Sequence, residues 1–146
     1  MRHFADDVLS ARGIALAWSA PQDGRDMPLG AETRCEVYLV FKEAVSNVAR
    51  HSGGRNAEVA LGLGDGWLSL RVTDDGKGFD APAFETQSAD GNGLRTMRRR
   101  ALGLGGTLDI VSSPGAGTCV SLAVPSERHG WARRLLARGT ARSARP

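Results

Sequence analysis

One long helical pattern set beside two runs of strand-period alternation constrains this chain more than any other feature. From Glu32 to Arg50 the residues Val37, Tyr38, Phe41, Ala44, Val45, Val48 and Ala49 share one broad arc at about 100° per residue, which is a core-facing side. Gly53-Gly54 then stops the pattern, as glycine does after a helix end. Val59, Leu61 and Leu63 alternate with other residues, Gly64-Asp65-Gly66 turns the chain, and Leu68, Leu70 and Val72 alternate in turn. Two such runs around a Gly/Asp turn read as a hairpin. A helix with an apolar arc and a hairpin with an apolar face bury those surfaces against each other, which predicts a layered α/β domain.

The flanking segments extend that pattern. Residues 4–12 read as a short helix with Phe4, Val8 and Leu9 on one side, and Ile14, Leu16 and Trp18 have the period of a strand. Residues 20–30 are a Pro/Gly/Asp-rich loop, residues 94–103 are helical, Leu108 and Ile110 begin a strand, and Thr118 to Val124 form the last one. The expected architecture is an α/β (α+β) two-layer sandwich, a mainly antiparallel sheet with helices on one face. Its 146 residues suit a single domain.

Charge is unevenly distributed. Residues 126–146 hold six arginines and one acid, leaving 13 basic and 15 acidic side chains in residues 1–125. A slightly acidic body with a basic tail argues against a nucleic-acid-binding face. We therefore expect a domain at 1–125 and a basic, mobile tail at 126–146. Trp131, Leu135 and Leu136 leave open a short amphipathic patch in that tail for acidic lipid or nucleic acid. No apolar run is long enough to insert in a membrane, and the N-terminus lacks the apolar core of a signal peptide. Cys35 and Cys119 lack disulfide-framework or zinc spacing and read as small buried thiols in a reducing cytoplasm.

Four short patterns carry chemistry. Glu43, Asn47 and Arg50 form a stripe opposite the apolar arc. Such a trio is often a plain solvated face. It also suits a metal-bridged phosphate, with the amide oxygen on Mg²⁺, the acid on its water and the cation on phosphate oxygens. Asp74 follows Leu68, Leu70 and Val72 in parity and should point inward, either as a frayed turn acid or as an acceptor for an exocyclic amine such as that of adenine. Gly76 and Gly78 then let backbone approach a flat ring or a phosphate. Gly91-Asn92-Gly93-Leu94 precedes a helix, a weak sign of a phosphate cradle. Thr118 shares the inward parity of Val120, Leu122 and Val124; it is either a simple β-former or a hydroxyl sharing a water with Asp74. The long stretch 74–93, poor in regular pattern, has the length of a functional loop.

Taken in order, EAVSNVARHSG, DDGKGFD, GNGLRTMRRRALGLGG and the final Gly117-Thr118 resemble the GHKL ATPase superfamily, which includes gyrase B, MutL and the histidine kinases. The wording NVARHS and GLRTMRRRA is most similar to histidine kinases that pair with NarL-type response regulators. The resemblance spans roughly residues 4–125. It implies the Bergerat fold, with ATP held between the helices and a flexible lid. Residue by residue it implies Asn47 as the Mg²⁺ ligand and Glu43 as the acid that activates water in the superfamily's true ATPases. Arg50 and His51 match phosphate contacts, and Asp74 matches the adenine-reading aspartate, with Gly76 and Gly78 beside the ring. Gly91, Gly93 and Leu94 match the phosphate side of the lid, and Thr118 matches a threonine near adenine.

The resemblance further implies a phosphoacceptor histidine on a dimerising helical hairpin and, through it, a response regulator. His3, His51 and His129 do not stand in an acceptor motif. The expectation is a catalytic fragment or stand-alone module that binds ATP without autophosphorylating, monomeric and cytoplasmic, with membrane tethering of a parent kinase left open. An anti-sigma-factor-type serine kinase and a non-catalytic docking module are the alternatives.

Overall fold

The computed structural model describes residues 1–21, 29–81 and 92–126. Helix α1 (Arg2–Ser10) leads into strand β1 (Ala15–Ser19), and helix α2 (Ala31–Asn47) continues into a π-helical turn (Val48–Ser52). Strands β2 (Asn56–Gly64) and β3 (Trp67–Asp74) form the hairpin. Helix α3 (Asn92–Gly103) and strands β4 (Thr107–Ser112) and β5 (Thr118–Pro125) complete the fold.

The five strands form one sheet in the order β1-β2-β3-β5-β4. β1 pairs parallel with β2, while β2–β3, β3–β5 and β4–β5 are antiparallel. The expected mixed, mainly antiparallel sheet is thus what forms. Along β3 the residues Leu68, Leu70, Val72 and Asp74 are buried and their neighbours less so, which is the half-buried alternation of a sheet covered on one side. Their partners on β5 are Val124, Leu122, Val120 and Thr118. One apolar core joins this inner face to α1, α2 and α3.

Three expectations need correction. Tyr38 does not belong to the buried arc of α2: it is 36% exposed, stacked on Phe41 with a centroid separation of 6.1 Å and edge-on to Phe4 at 6.4 Å. Val40, outside the expected arc, is fully buried, because α2 is covered by α3 as well as by the sheet, with Met97 and Ala101 in the same core. Cys35 is exposed on α2 and Cys119 only partly buried on β5, so neither is a core thiol. The helix expected to reach Arg50 changes from α to π geometry after Asn47. Gly53 then ends it in the left-handed region at φ 64°. Among the described residues no helix is long and apolar enough to cross a membrane.

Candidate functional site

A cavity of about 510 Å³ lies between α2 and the inner face of the sheet. Its size is that of a small-ligand pocket. α2 and its π-helical turn contribute Glu43, Ala44, Asn47, Val48, Arg50, His51 and Ser52. Val72 and Asp74 come from β3, Thr118 and Val120 from β5, and Gly93 and Leu94 from the start of α3. Lys77, Gly78 and Phe79 follow β3. The stripe of Glu43, Asn47 and Arg50 and the inward acid of β3 therefore share one cavity.

Asp74 ends β3 with its carboxyl turned inward and is 6% exposed. Its Oδ1 accepts the Gly76 N–H at 2.8 Å. Burial raises its pKa above the ordinary carboxylate value, and the neighbouring Asp75 charge adds to that. The backbone N–H groups of Gly76 and Thr118 act the other way. A buried carboxylate held by backbone donors, beside Val72 and Val120, is equipped to accept a hydrogen bond from a planar, largely apolar ligand.

At the α2 side the polar row is ordered by Arg50. Its Nη2 donates to Asn47 Oδ1 at 3.3 Å and lies 3.5 Å from Glu43 Oε1, while Nε donates to the Ser46 carbonyl at 3.2 Å. An amide oxygen, a carboxylate and a guanidinium thus converge at the cavity's edge. Among the described residues no group of three His, Cys, Asp or Glu side chains comes together to hold a metal. A divalent cation placed here would find the Asn47 amide oxygen as its protein ligand, with the Glu43 carboxylate beside it for a bound water, and would need water and ligand oxygens for the rest of its shell, as Mg²⁺ does.

The glycines divide. At Gly76 a Cβ would fall on the Ser52 carbonyl, and Gly76 does not line the cavity. Its lack of a side chain serves the approach to the π-helical turn rather than the approach of a ring. There the Lys77 N–H donates to the same Ser52 carbonyl at 2.7 Å. Gly78 lines the cavity at φ 58°, where a Cβ would strike the Ser113 carbonyl. Gly93 packs on the Glu43 carboxylate, so even a methyl there would displace it. Gly91, expected to be on the phosphate side, lies outside the described residues.

Several residues of the site region escaped sequence reasoning. Ser112 Oγ accepts the Phe79 N–H at 2.9 Å, donates to the Gly117 carbonyl at 2.9 Å and lies 3.0 Å from Thr118 Oγ1. It ties the segment after β3 to the β4–β5 turn and holds the Thr118 hydroxyl. Asp75 accepts the Arg55 and Asn56 N–H groups at 2.8 and 2.9 Å and Asn56 Nδ2 at 2.7 Å. Those bonds lower its pKa, the Asn56 backbone contributing most. Lys77 and Phe79 stand within DDGKGFD, and Val72 and Val120 have inward parity; Ser112 begins the turn to Gly117, but nothing local signals its bond to Phe79, 33 residues away.

The fold and cavity define an α/β sandwich that takes a ligand between its helical layer and its sheet, with a buried acid and a phosphate-compatible polar row. Residues 34–128 match the family described as Histidine kinase-, DNA gyrase B-, and HSP90-like ATPase, and the chain belongs to that family. It is 40% identical over 99 residues to the Sensor protein VraS of Staphylococcus aureus (strain COL), covering 68% of this chain and 27% of that protein. It is 39% identical over 100 residues to the VraS of Staphylococcus epidermidis (strain ATCC 12228 / FDA PCI 1200), with the same coverages. The chain thus spans about a quarter of the length of these relatives. Among solved structures, the histidine kinase domain from the Erythrobacter litoralis EL346 blue-light activated histidine kinase has the same fold, with TM-score 0.69, 21% identity, and coverage of 85% of this chain and 58% of that one. The Acinetobacter baumannii histidine kinase AdeS matches at TM-score 0.68 and 16% identity, over 86% of this chain and 60% of that one.

Proposed function

We propose that this chain is the ATP-binding catalytic domain of a two-component sensor histidine kinase. It binds Mg-ATP in the cavity and presents the γ-phosphoryl to a histidine on a separate dimerisation domain, from which a response regulator is served. The observation that carries the reading is the placement of Asp74 and the row Glu43, Asn47, Arg50 on one cavity in a chain of this ATPase family. In this reading residues 1–125 form the catalytic domain and residues 126–146 lie outside it.

Each residue has a task. Asp74 accepts the exocyclic amine of adenine, against Val72 and Val120, with Thr118 and Gly78 beside the ring. Asn47 is the protein ligand of Mg²⁺, with Glu43 on its water. When bound, the cation neutralises and aligns the phosphates. Arg50 and His51 meet phosphate oxygens, and Gly91, Gly93 and Leu94 approach from the lid side. Phosphoryl transfer depends on positioning and charge neutralisation more than on covalent help from the protein, so no nucleophile is needed in the cavity.

The test is calorimetric titration with Mg-ATP, followed by incubation with histidine-bearing dimerisation hairpins and with serine-bearing partner proteins. ATP binding and an acid-labile phosphoryl group on the hairpin are expected. An acid-stable product on the serine partner would assign the serine-kinase alternative, and absence of ATP binding would leave only a docking module.

A further inference from the structure

Helices α2 and α3 meet at two polar points. Gly93 packs on the Glu43 carboxylate, and Arg100 Nη1 donates to Glu36 Oε2 in a half-buried ion pair. Glu36 and Glu43 are seven residues apart on α2, as Gly93 and Arg100 are on α3. Seven residues are two helical turns, about 10 Å, so both pairs lie on one seam. The early end of α3 meets the late part of α2, which makes the helices antiparallel. Between the polar points each helix places a fully buried apolar residue on the seam, Val40 on α2 and Met97 on α3.

Apolar residues such as Val40 and Met97 hold two helices together through the shape of their packing, with no directional bond. A charge-assisted hydrogen bond between guanidinium and carboxylate is short and directional. Among the described residues, the Glu36–Arg100 pair is such a directional contact on this seam. Its consequence appears two turns away, where register decides whether the bare Cα of Gly93 rests on Glu43. Glu43 in turn lies within 3.5 Å of Arg50 Nη2, and Arg50 donates to Asn47. Position is thereby transmitted from Arg100 to the polar row.

We propose that Glu36 and Arg100 are positioning residues for the phosphate end of the cavity: they hold α3 in the register that seats Gly93 on Glu43. This rests on the nucleotide reading, in which Glu43, Asn47 and Arg50 serve the phosphates and Asp74 serves the base. A loosened α3 therefore weakens recognition of phosphates and leaves recognition of adenine intact. Loss of fold stability alone would not separate the two.

The test compares Mg-ATP and adenosine binding by calorimetry, with adenosine measured by competition, in the full chain. The variants are Glu36→Gln, Arg100→Gln and the double exchange Glu36→Arg with Arg100→Glu. Each single variant is expected to weaken ATP about tenfold and adenosine less than about twofold, and the exchange to restore ATP to within about threefold of the parent. If ATP and adenosine affinities fall together, or neither falls, or the exchange restores nothing, the positioning role is overturned. An unaltered chain that binds neither ligand instead overturns the nucleotide reading, so the two failures are distinguishable. Thermal melting of each variant confirms that it is folded at the titration temperature.

Discussion

At Asp74, burial and hydrogen bonding pull in opposite directions, and burial dominates. A carboxyl whose pKa is raised in the folded state binds its proton more tightly there than in the unfolded chain. Its most favourable contribution to stability therefore lies below the ordinary value near 3.8 and is lost as pH rises through the folded pKa. Above that pKa the ionised group is a cost to folding. Asp74→Asn removes this cost, and its Oδ1 can keep the Gly76 N–H bond. The other arm of the amide then carries NH₂ where the carboxylate offered an acceptor, so a donor faces the adenine amine. Loss of a charge-assisted hydrogen bond and creation of an unpaired donor cost about 2–3 kcal/mol, a loss of roughly 30- to 150-fold in ATP affinity. We expect ATP binding by calorimetry to fall by that factor while the melting temperature at neutral pH stays level or rises. An unchanged ATP affinity would remove Asp74 from base recognition.

Secondary-structure elements differ in how far local sequence discloses them. The apolar arc of α2, the alternation of β2 and β3, and the inward parity of Asp74 and Thr118 follow from periods of 3.6 and 2, which adjacent residues display. The parallel pairing of β1 with β2 is not local: Ala15 meets Asn56 across the whole of α2, and no period records that. The burial of Val40 depends on α3 arriving at its side, and the exposure of Cys35 and Tyr38 on what does not cover them. The bond from Phe79 to Ser112 was equally invisible, because 33 residues separate them and only the fold brings them together, whereas Gly117 and Thr118 lie across the turn that Ser112 begins. Ser112→Ala leaves the partly buried Phe79 N–H without its hydroxyl acceptor and frees the Thr118 hydroxyl. We expect a loss of about 1 kcal/mol in stability, read as a lower urea midpoint at unchanged slope. A midpoint equal to that of the parent would show that the β4–β5 turn is held by its backbone bonds, such as Gly115 N–H to the Lys77 carbonyl, and not by this hydroxyl.

For the whole molecule, resistance to acid depends on two adjacent carboxyls with opposite shifts. Asp74 is raised by burial, while Asp75, on the surface, is lowered by its bonds to Asn56 and Arg55. Asp75 joins the start of β2 to the end of β3, so its ionised form clamps the open end of the central hairpin. A depressed folded pKa gives stability that is fully present above 3.8 and is lost as pH falls through the folded value. The two residues therefore act on different sides of 3.8: Asp74 loses stability with rising pH above it, and Asp75 with falling pH below it. Because one core joins the sheet to the helices, we expect a single unfolding transition in which each effect is seen globally. Asp75→Asn turns one of the two acceptor oxygens into a donor facing Asn56 Nδ2 or the strand amides. The variant should unfold at lower urea than the parent at neutral pH, and the gap between their midpoints should close as pH falls from 3.8 through the lower folded pKa of Asp75, where the parent's carboxylate takes up its proton. Taking the difference between the two chains cancels the titration of acids remote from Asp75; Asp74 does not cancel, because the Asp75 charge raises its pKa, and that residual lies on the other side of 3.8. A gap that stays constant across the acid range would mean that the clamp rests on shape and not on charge.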